Sequence, residues 1–356
     1  MKNFNMLRCL LPVFLAALTL VACKKDKDTA PAGEAEKIVP QQRFDISPSL
    51  NTPNPSFEAN ALYQFMRENY GKRIISGVMT LNSFDETNWL KTNVGKEPVI
   101  LGLDFMHSGR KFNWYDDKAP IKDAKLWWDK KGIPVFCWHW RDPSRKTDEF
   151  YANKTSFDIT KINDNTSDEY KAMIQDIDYI ASLFKELQDQ KVPVIWRPLH
   201  EAAAGWFWWG AKGAAPCKKL YQVMWDRMVN YHGLKNIIWV WTREPNDEAW
   251  YPGDQYVDIV SRDMYKQGDH SSQITEFNTL NNLYGRKKMA AYSECGSFPD
   301  PDNLVKDQAG WLWFMPWYGD FVRKSEHNSV ALWKKAFDHS YVITLDEMPS
   351  LKAPGI

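Results

Sequence analysis

Residues 192–201 read VPVIWRPLHE, a short apolar run that ends in polar and charged residues. A run of this length with β-branched side chains, preceded by helical periodicity over 168–190, is typical of a buried strand. The same succession of amphipathic helix and apolar run recurs along the chain. Eight such runs predict buried parallel strands, at 74–78, 99–105, 134–140, 192–200, 237–242, 258–265, 289–294 and 312–317.

The segments between these runs carry the apolar spacing of helices. Helices are predicted at 57–70, 83–92, 121–131, 168–190, 217–232, 271–284 and 329–339. Repeated strand–helix units with eight strands predict an α/β fold, a (β/α)8 TIM barrel in a single domain. The competing architecture, a doubly wound open sheet, needs a glycine-rich phosphate-binding turn after its first strand. Residues 76–80, SGVMT, do not supply that turn.

The chain begins with a segment typical of protein export. Lys2 and Arg8 precede an apolar run at 10–21, which ends in Leu20-Val21-Ala22-Cys23 and resembles the bacterial lipobox. We therefore predict a lipoprotein signal peptide at 1–22 and a flexible tether at 23–45 with a lipidated Cys23. The folded domain is then 46–356, attached to the outer membrane on its periplasmic or cell-surface face.

Bulk composition excludes several classes of partner. Lys plus Arg and Asp plus Glu number 45 each, so a polyanion such as nucleic acid finds no net attraction. The remaining cysteines, Cys137, Cys217 and Cys295, are too scattered for a disulfide framework, and no Cys-x-x-Cys or His-x-x-x-His pattern predicts a metal site. We expect a monomer without cofactor. The 18 tryptophans suit a protein that stacks sugar rings.

Polar and aromatic residues gather where the predicted strands end. In a barrel these ends meet at one mouth, where active sites are built. Two glutamates, Glu201 after the fourth strand and Glu294 after the seventh, face each other across it. The other side chains at the strand ends are Asp104, His107, Trp138, His139, Trp140, Arg141, Arg197, His200, Arg262, Asp263, Tyr265 and Tyr292, with Trp313 to Tyr318 after the eighth.

Two facing carboxyl groups are what glycosidic bond cleavage requires. One protonates the leaving oxygen and the other attacks or stabilises the anomeric carbon, with retention at a separation of about 5–5.5 Å and inversion at about 6.5–9.5 Å. The aromatic segment 205–210 that follows Glu201 predicts a raised pKa and an acid role. Arg197 and Tyr265 are plausible donors that keep Glu294 ionised.

These motifs resemble the glycoside hydrolases of family 26, clan A barrels best known as β-mannanases. In most clan A families an Asn precedes the acid, whereas in family 26 a His precedes it. In this sequence that residue is His200. The likeness covers about residues 70–317. It rests on 196–201 with Trp206 and 208–210, on Ser293-Glu294, on Arg262-Asp263-x-Tyr265, on Trp138-His139-Trp140, and on the loop 157–160.

The resemblance implies a role for each matching residue. Glu201 is the acid/base and Glu294 the nucleophile. The other residues implied or expected to contact the substrate are His200, His139, Trp206, Asp263, Tyr265, Arg197, Trp140, His107 and Trp317, with Trp313 as the alternative stacking platform to Trp317. The sequence departs from the family at Cys295, where Phe or Ile is frequent; strand alternation turns that thiol away from Glu294.

The resemblance implies a catalytic domain that hydrolyses β-1,4-mannosidic bonds in mannan, glucomannan or galactomannan by double displacement. Its partners are then the polysaccharide or manno-oligosaccharides, and the membrane through Cys23. Three alternatives stay open within the same fold and mechanism: action on mixed-linkage β-glucan, action on xylan, and release of mannobiose from chain ends. A lipid-anchored protein that only binds glycan is the alternative of another class.

Overall fold

Eight parallel strands form a closed barrel in the computed structural model, which describes residues 44–354. Helices surround it, so the predicted (β/α)8 TIM barrel is confirmed. The strands are β1 Ile74–Met79, β2 Ile100–Asp104, β3 Ile133–Cys137, β4 Val194–Arg197, β5 Ile237–Arg243, β6 Ile259–Met264, β7 Met289–Cys295 and β8 Trp313–Pro316.

The barrel closes at β1, which pairs with β8 on one side and with β2 on the other. A short ninth strand, β9 (Val342–Ile343), pairs in parallel with the start of β1. Ile75 pairs with both Trp313 of β8 and Ile343 of β9, so β9 lies on the β2 side of β1, before the β2 pairing begins. Two residues are too few to show a strand pattern in sequence, and β9 was not predicted.

One helix precedes β1, the others lie between successive strands, and together they cover the barrel. The longest, α4, begins after Ser167, whose side chain accepts a hydrogen bond from the Tyr170 backbone N–H. The helices are α1 Phe57–Asn69, α2 Asp85–Val94, α3 Ala119–Asp129, α4 Asp168–Asp189, α5 Ala214–Asp226, α6 Ile274–Leu283, α7 Pro301–Asp307, α8 Asp320–Arg323, α9 Ser325–Asn328 and α10 Val330–Asp338. The helix predicted at 217–232 is divided, because a π-helical turn at Arg227–Tyr231 follows α5.

Large side chains fill the barrel interior, and glycine makes room for them. A Cβ added at Gly102 would lie 2.1 Å from the sulfur of Met79 and 2.8 Å from that of Met315. Both methionines are buried. The interior is therefore a packed core, and the chemistry must take place at the rim.

Two strands, β3 and β4, end three residues earlier than predicted. β4 stops at Arg197 and not at His200, because Leu199 and Glu201 adopt φ values of 50° and 54°, outside the strand region. β3 stops at Cys137, before Trp140. The residues that follow β3 and β4 at the mouth are therefore not paired with neighbouring strands.

The domain also starts slightly before its predicted boundary. Phe44, at the end of the predicted tether, packs on Tyr70 with ring centroids 4.6 Å apart, and the Asp45 N–H donates to the Arg286 carbonyl. The predicted signal peptide, Cys23 and the rest of the tether lie outside the described residues. Among residues 44–354, no helix combines the length and apolarity that crossing a bilayer requires.

Candidate active site

Glu294 lies near the end of β7, beside an irregularity in the sheet. Arg262 of β6 pairs with Tyr292, whereas the next residue, Asp263, pairs with Glu294, so β7 carries one extra residue at Ser293. A bulge of this kind re-aims side chains. Consecutive strand residues normally point to opposite faces, yet the Ser293 hydroxyl donates to Asp263 (2.6 Å) while Glu294 joins the same polar network.

Donors hold the Glu294 carboxylate in place. Arg197, which is fully buried, donates from one nitrogen to Glu294 and from another to Asp263 at 2.6 Å. The Tyr265 hydroxyl donates to the other Glu294 oxygen at 2.5 Å. Burial of its hydroxyl group and the negative charge of Glu294 raise the pKa of Tyr265 well above its usual value, so Tyr265 remains a donor.

Glu201 lies in a strained turn after β4. It has φ 54°, a conformation that few residues other than glycine adopt, and such strain is characteristic of functional sites. Trp206, 47% exposed, donates its indole N–H to Glu201 at 3.0 Å. Gly210 closes the loop: a Cβ there would lie 1.9 Å from the Ala202 carbonyl oxygen, so only glycine permits this approach.

The two glutamates and Asp263 converge, with one oxygen from each carboxylate within 4.8 Å of the others. Burial, followed by the negative charges of Asp263 and Glu294, raises the pKa of Glu201 to about 9. Burial also raises the pKa of Glu294, to about 7, but the Arg197 charge acts in the opposite direction. Glu294 therefore ionises first and Glu201 keeps its proton at neutral pH.

Two histidines lie next to the pair. The Nε2 atoms of His139 and His200 are 3.3 Å apart, and His139 Nδ1 is 2.6 Å from Asp104. Burial, then the positive charges of Arg197 and His139, lower the pKa of His200 well below its usual value, so His200 is neutral. The sequence placed Asp104 at a strand end but assigned it no role.

The structure separates the two candidate stacking platforms. Trp313 is fully buried within β8 and cannot meet a sugar. Trp317, just beyond β8, is partly exposed, with its ring 5.5 Å from that of His139 and 4.9 Å from that of Tyr318. Glu86 secures the loop that follows by accepting from the Gly319 N–H (3.0 Å) and from Arg323 (2.9 Å). Trp317 is therefore the accessible ring.

Four predicted substrate contacts are almost fully buried: Trp140, Arg197, His200 and Asp263. Trp140 is 1% exposed, stacks on Trp138 at 4.0 Å and donates to Asp176, so it packs behind the site. Arg197 is also fully buried, with its guanidinium bonded to Glu294 and Asp263. The hydrogen bond from Arg197 to Glu294 is the one that the sequence analysis expected.

His107 lies in an aromatic cluster that the sequence analysis overlooked. Trp114, 66% exposed, lies 4.9 Å from His107 and stacks on Phe112 at 5.3 Å. Arg141 joins this cluster to the inner site, since its guanidinium lies 5.7 Å from both Phe112 and Phe150 and contacts His107 at 3.1 Å. We call Phe112 and Trp114 the distal platform. The closely spaced aromatic residues at 112, 114 and 115 could have predicted this cluster from sequence.

Phe150 connects the distal platform to the catalytic pair. Its ring centroid is 5.2 Å from that of His139, which in turn is 5.5 Å from Trp317. Aromatic rings, bridged by the Arg141 guanidinium between Phe150 and Phe112, thus extend from Trp317 to an exposed tryptophan on the loop between β2 and α3. Such a surface suits an extended chain of sugar rings.

Two clusters of potential metal ligands occur among the described residues, Glu201 with Asp263 and Glu294, and Asp104 with Cys137 and His139. In the first, Arg197 already neutralises two carboxylates. In the second, Asp104 and His139 bond each other, and burial raises the pKa of the Cys137 thiol well above its usual value. Burial does the same for Cys295, which makes it a poor nucleophile.

Known proteins share this architecture. The sequence profile of glycosyl hydrolase family 26 matches residues 51–347. A mannan endo-1,4-β-mannosidase of Thermothelomyces thermophilus is 40% identical over 87% of this chain and 65% of its own length. Mannan endo-1,4-β-mannosidase A of a Piromyces species is 36% identical over 86% of this chain and 51% of its own. The chain thus spans about half to two thirds of these curated relatives.

Solved structures agree with the sequence relatives. A β-mannanase from a symbiotic protist of the termite Reticulitermes speratus, complexed with gluco-manno-oligosaccharide, is 43% identical with a TM-score of 0.82, covering 87% of this chain and 100% of that one. A GH26-CBM35 β-(1,4)-mannanase of Podospora anserina is 38% identical, also at 0.82, over 88% of this chain and 71% of that one. The chain belongs to glycosyl hydrolase family 26.

Proposed function

We propose that this protein is a retaining endo-β-1,4-mannanase, acting on mannan, glucomannan or galactomannan. The observation that carries the proposal is the carboxylate pair: Glu201 and Glu294 present oxygens within 4.8 Å of each other, in surroundings that give them different pKa values. This separation suits retention, because inversion needs about 6.5–9.5 Å to admit a water molecule.

In the first step Glu294 attacks the anomeric carbon while Glu201 donates its proton to the leaving glycosidic oxygen. One C–O bond breaks and another forms, so the sugar is held as an ester of Glu294. Arg197 and Tyr265 donate to the Glu294 oxygens and fix the attacking carboxylate. Trp206, which donates to Glu201 and is half exposed, lines the side through which the leaving chain departs.

In the second step water replaces the enzyme ester. Glu201, now ionised, takes a proton from the water as its oxygen attacks the anomeric carbon, and Glu294 leaves as a carboxylate. Two inversions restore the original β configuration. The ordering of the two pKa values predicts a bell-shaped pH profile for kcat/KM, with Glu294 setting the acid limb and Glu201 the alkaline limb.

Endo action on mannan is supported from two sides. The relatives named above are mannan endo-1,4-β-mannosidases, and one similar structure holds a gluco-manno-oligosaccharide. In this chain aromatic rings run from Trp317 to Phe150, and Arg141 connects them to the distal platform with the exposed Trp114, beyond what a single sugar would need. A polysaccharide held along that surface would be cut internally.

The test is hydrolysis of purified polysaccharides. We expect reducing-sugar release from mannan, glucomannan and galactomannan, an early fall in viscosity, and a β-anomeric first product by NMR. Greater activity on mixed-linkage β-glucan or xylan would contradict the substrate, and mannobiose as the sole early product would contradict endo action. A wild type that binds mannan without turnover, like Glu294→Ala, would instead identify a glycan-capture protein.

We also propose that Cys23 carries a lipid that attaches the protein to the bacterial outer membrane. The support is the Leu20-Val21-Ala22-Cys23 pattern after an apolar segment. Wild-type protein is expected in the membrane fraction and labelled by a fatty-acid analogue, whereas Cys23→Ala should lose the label. An unlabelled wild type would contradict the proposal. Protease treatment of intact cells distinguishes the surface face from the periplasmic face.

A further inference from the structure

Asp104, the last residue of β2, makes two contacts with one residue of the neighbouring strand end. Its Oδ1 accepts from the backbone N–H of His139 at 3.0 Å, and its Oδ2 lies 2.6 Å from Nδ1 of the same residue. The side chain is 9% exposed. We propose that Asp104 is a positioning residue that fixes the tautomer of His139 and, through it, the tautomer of His200 beside the acid/base.

The first step of the argument concerns the proton between Asp104 and His139. Burial acts to raise the pKa of Asp104, but the His139 charge and the hydrogen bonds from its ring and backbone hold that pKa below its usual value. Asp104 is therefore a carboxylate and can only accept. In the neutral form of the His139 ring the proton must then lie on Nδ1, which leaves Nε2 with a lone pair.

The second step transmits this choice to His200. Its Nε2 lies 3.3 Å from Nε2 of His139, which carries the lone pair, so Nε2 of His200 must supply the N–H. His200 is neutral and has only one ring proton, so its Nδ1 carries a lone pair. That nitrogen is buried and accepts from no donor among residues 44–354. His200, the residue before Glu201, thus carries a lone pair on a buried Nδ1 and adds no positive charge that would lower the pKa of the acid.

Only a carboxylate at position 104 sustains this arrangement. His139 offers two donors, and its backbone N–H cannot change its role. An asparagine has a single oxygen, which the backbone N–H would occupy, and its NH2 group would then face the ring. Nδ1 would have to become the acceptor and Nε2 the donor. Asp104→Asn therefore reverses the direction of both hydrogen bonds with almost no change in shape.

The decisive readout is the tautomer itself. The chain has seven histidines, few enough to assign by 15N labelling with His139→Gln and His200→Gln as references. At about pH 8, above the usual histidine pKa, wild-type His139 should carry its proton on Nδ1 and His200 on Nε2. In Asp104→Asn both protons should move to the other nitrogen. An unchanged tautomer in either histidine of Asp104→Asn would overturn the proposal.

The kinetic consequence rests on the proposed function and is measured separately. Asp104→Asn should lower kcat/KM on mannan by about 10- to 100-fold, the range for losing a partner that orients a metal-bound histidine. A moved tautomer with unchanged kcat/KM would overturn the catalytic part. A wild type inactive on every glycan would contradict the proposed function, yet the NMR result would still decide the tautomer.

Asp258 offers a matched control. It is another buried aspartate that accepts from two N–H groups, those of Asn51 and Trp239, each at 2.8 Å, but it precedes β6 at the opposite end of the barrel. Asp258→Asn should destabilise the fold while leaving kcat/KM per folded molecule and the His139 tautomer unchanged. If Asp258→Asn reduced kcat/KM as much as Asp104→Asn, the loss would reflect general destabilisation and the positioning role would be wrong.

Discussion

Glu294 and Glu201 each place a carboxylate oxygen within 4.8 Å of one from the other, yet their surroundings differ. Glu294 is part of a strand, 4% exposed, and receives hydrogen bonds from Arg197 and Tyr265. Glu201 lies in a loop with a positive φ, receives one hydrogen bond from a half-exposed tryptophan, and faces two other carboxylates.

This difference assigns the chemistry. Fixed donors and a cation favour a carboxylate that must be negative and immobile as it attacks. Burial beside like charges favours a carboxyl group that keeps its proton until the leaving group needs it. The same residue type thus takes opposite roles because its neighbours differ. Substitution of those neighbours should reduce the difference between the two glutamates.

The largest effects should come from the glutamates themselves. Glu294→Gln removes the nucleophile and should lower kcat on mannan by about 10⁴-fold or more. Glu201→Gln removes the acid and should cost about 10²–10⁴-fold on mannan, but little in the first step with an aryl mannoside whose leaving group needs no proton. Steady-state and burst kinetics on both substrates check this. If both variants lost the same activity on mannan and on the aryl mannoside, the assignment of separate nucleophile and acid roles would be wrong.

Arg197 comes next, because its removal leaves two buried carboxylates without a positively charged partner. Arg197→Met should lower the free energy of unfolding by about 3–5 kcal/mol and kcat/KM by about 10³-fold. Loss of the positive charge raises the pKa of Glu294, so the acid limb of the pH profile should move to higher pH. Arg197→Lys keeps the charge, so its kcat/KM and its free energy of unfolding should lie between those of the wild type and of Arg197→Met. An unmoved acid limb in both variants would contradict the role of Arg197.

Tyr265→Phe removes a single donor from the ionised Glu294. A hydrogen bond to a charged group contributes about 1.5–3 kcal/mol, so kcat/KM should fall roughly 10- to 100-fold. Its loss raises the pKa of Glu294 and shifts the acid limb upward, while the alkaline limb stays in place. Denaturant unfolding should be nearly unchanged, since Tyr265 is 46% exposed. A shift in the alkaline limb alone would mean that Tyr265 acts on Glu201.

Trp206→Phe is the matching change on the other glutamate, and its effect should be the smallest. Its indole donates to a carboxyl group that is neutral before the reaction, and such a bond contributes about 0.5–1.5 kcal/mol, or up to roughly 10-fold in kcat/KM. Loss of the donor disfavours ionised Glu201, so the alkaline limb should move up. A larger loss than in Tyr265→Phe would reverse the comparison.

The fold could be predicted from sequence because each barrel strand is a compact apolar run with a helix between it and the next. β9 escaped because its two residues, Val342 and Ile343, acquire strand pairing only from β1, which is more than 260 residues away in sequence. The end of β4 was misplaced for a local reason: φ at Leu199 and Glu201 turns positive in a stretch whose composition favours a strand.

At the site, the sequence located the glutamates because carboxyl ends of barrel strands meet at one mouth. It could not find the bulge between β6 and β7, which depends on the pairing of Asp263 with Glu294. Nor could it show that Trp140 turns toward Asp176 on α4, away from the substrate. The contact of Asp104 with His139 joins the ends of two neighbouring strands and depends on the register of β2 and β3, in which Asp104 pairs with Cys137.

The account depends most on Glu294 being the residue that bonds to sugar. The direct measurement is mass spectrometry of peptides after incubation with an activated 2-deoxy-2-fluoro-mannoside, which slows hydrolysis of the enzyme ester. We predict a single label on the peptide that carries Glu294, absent in Glu294→Gln and still formed in Glu201→Gln when the leaving group needs no proton. A label on Glu201, or no label together with an α-anomeric first product, would contradict the account.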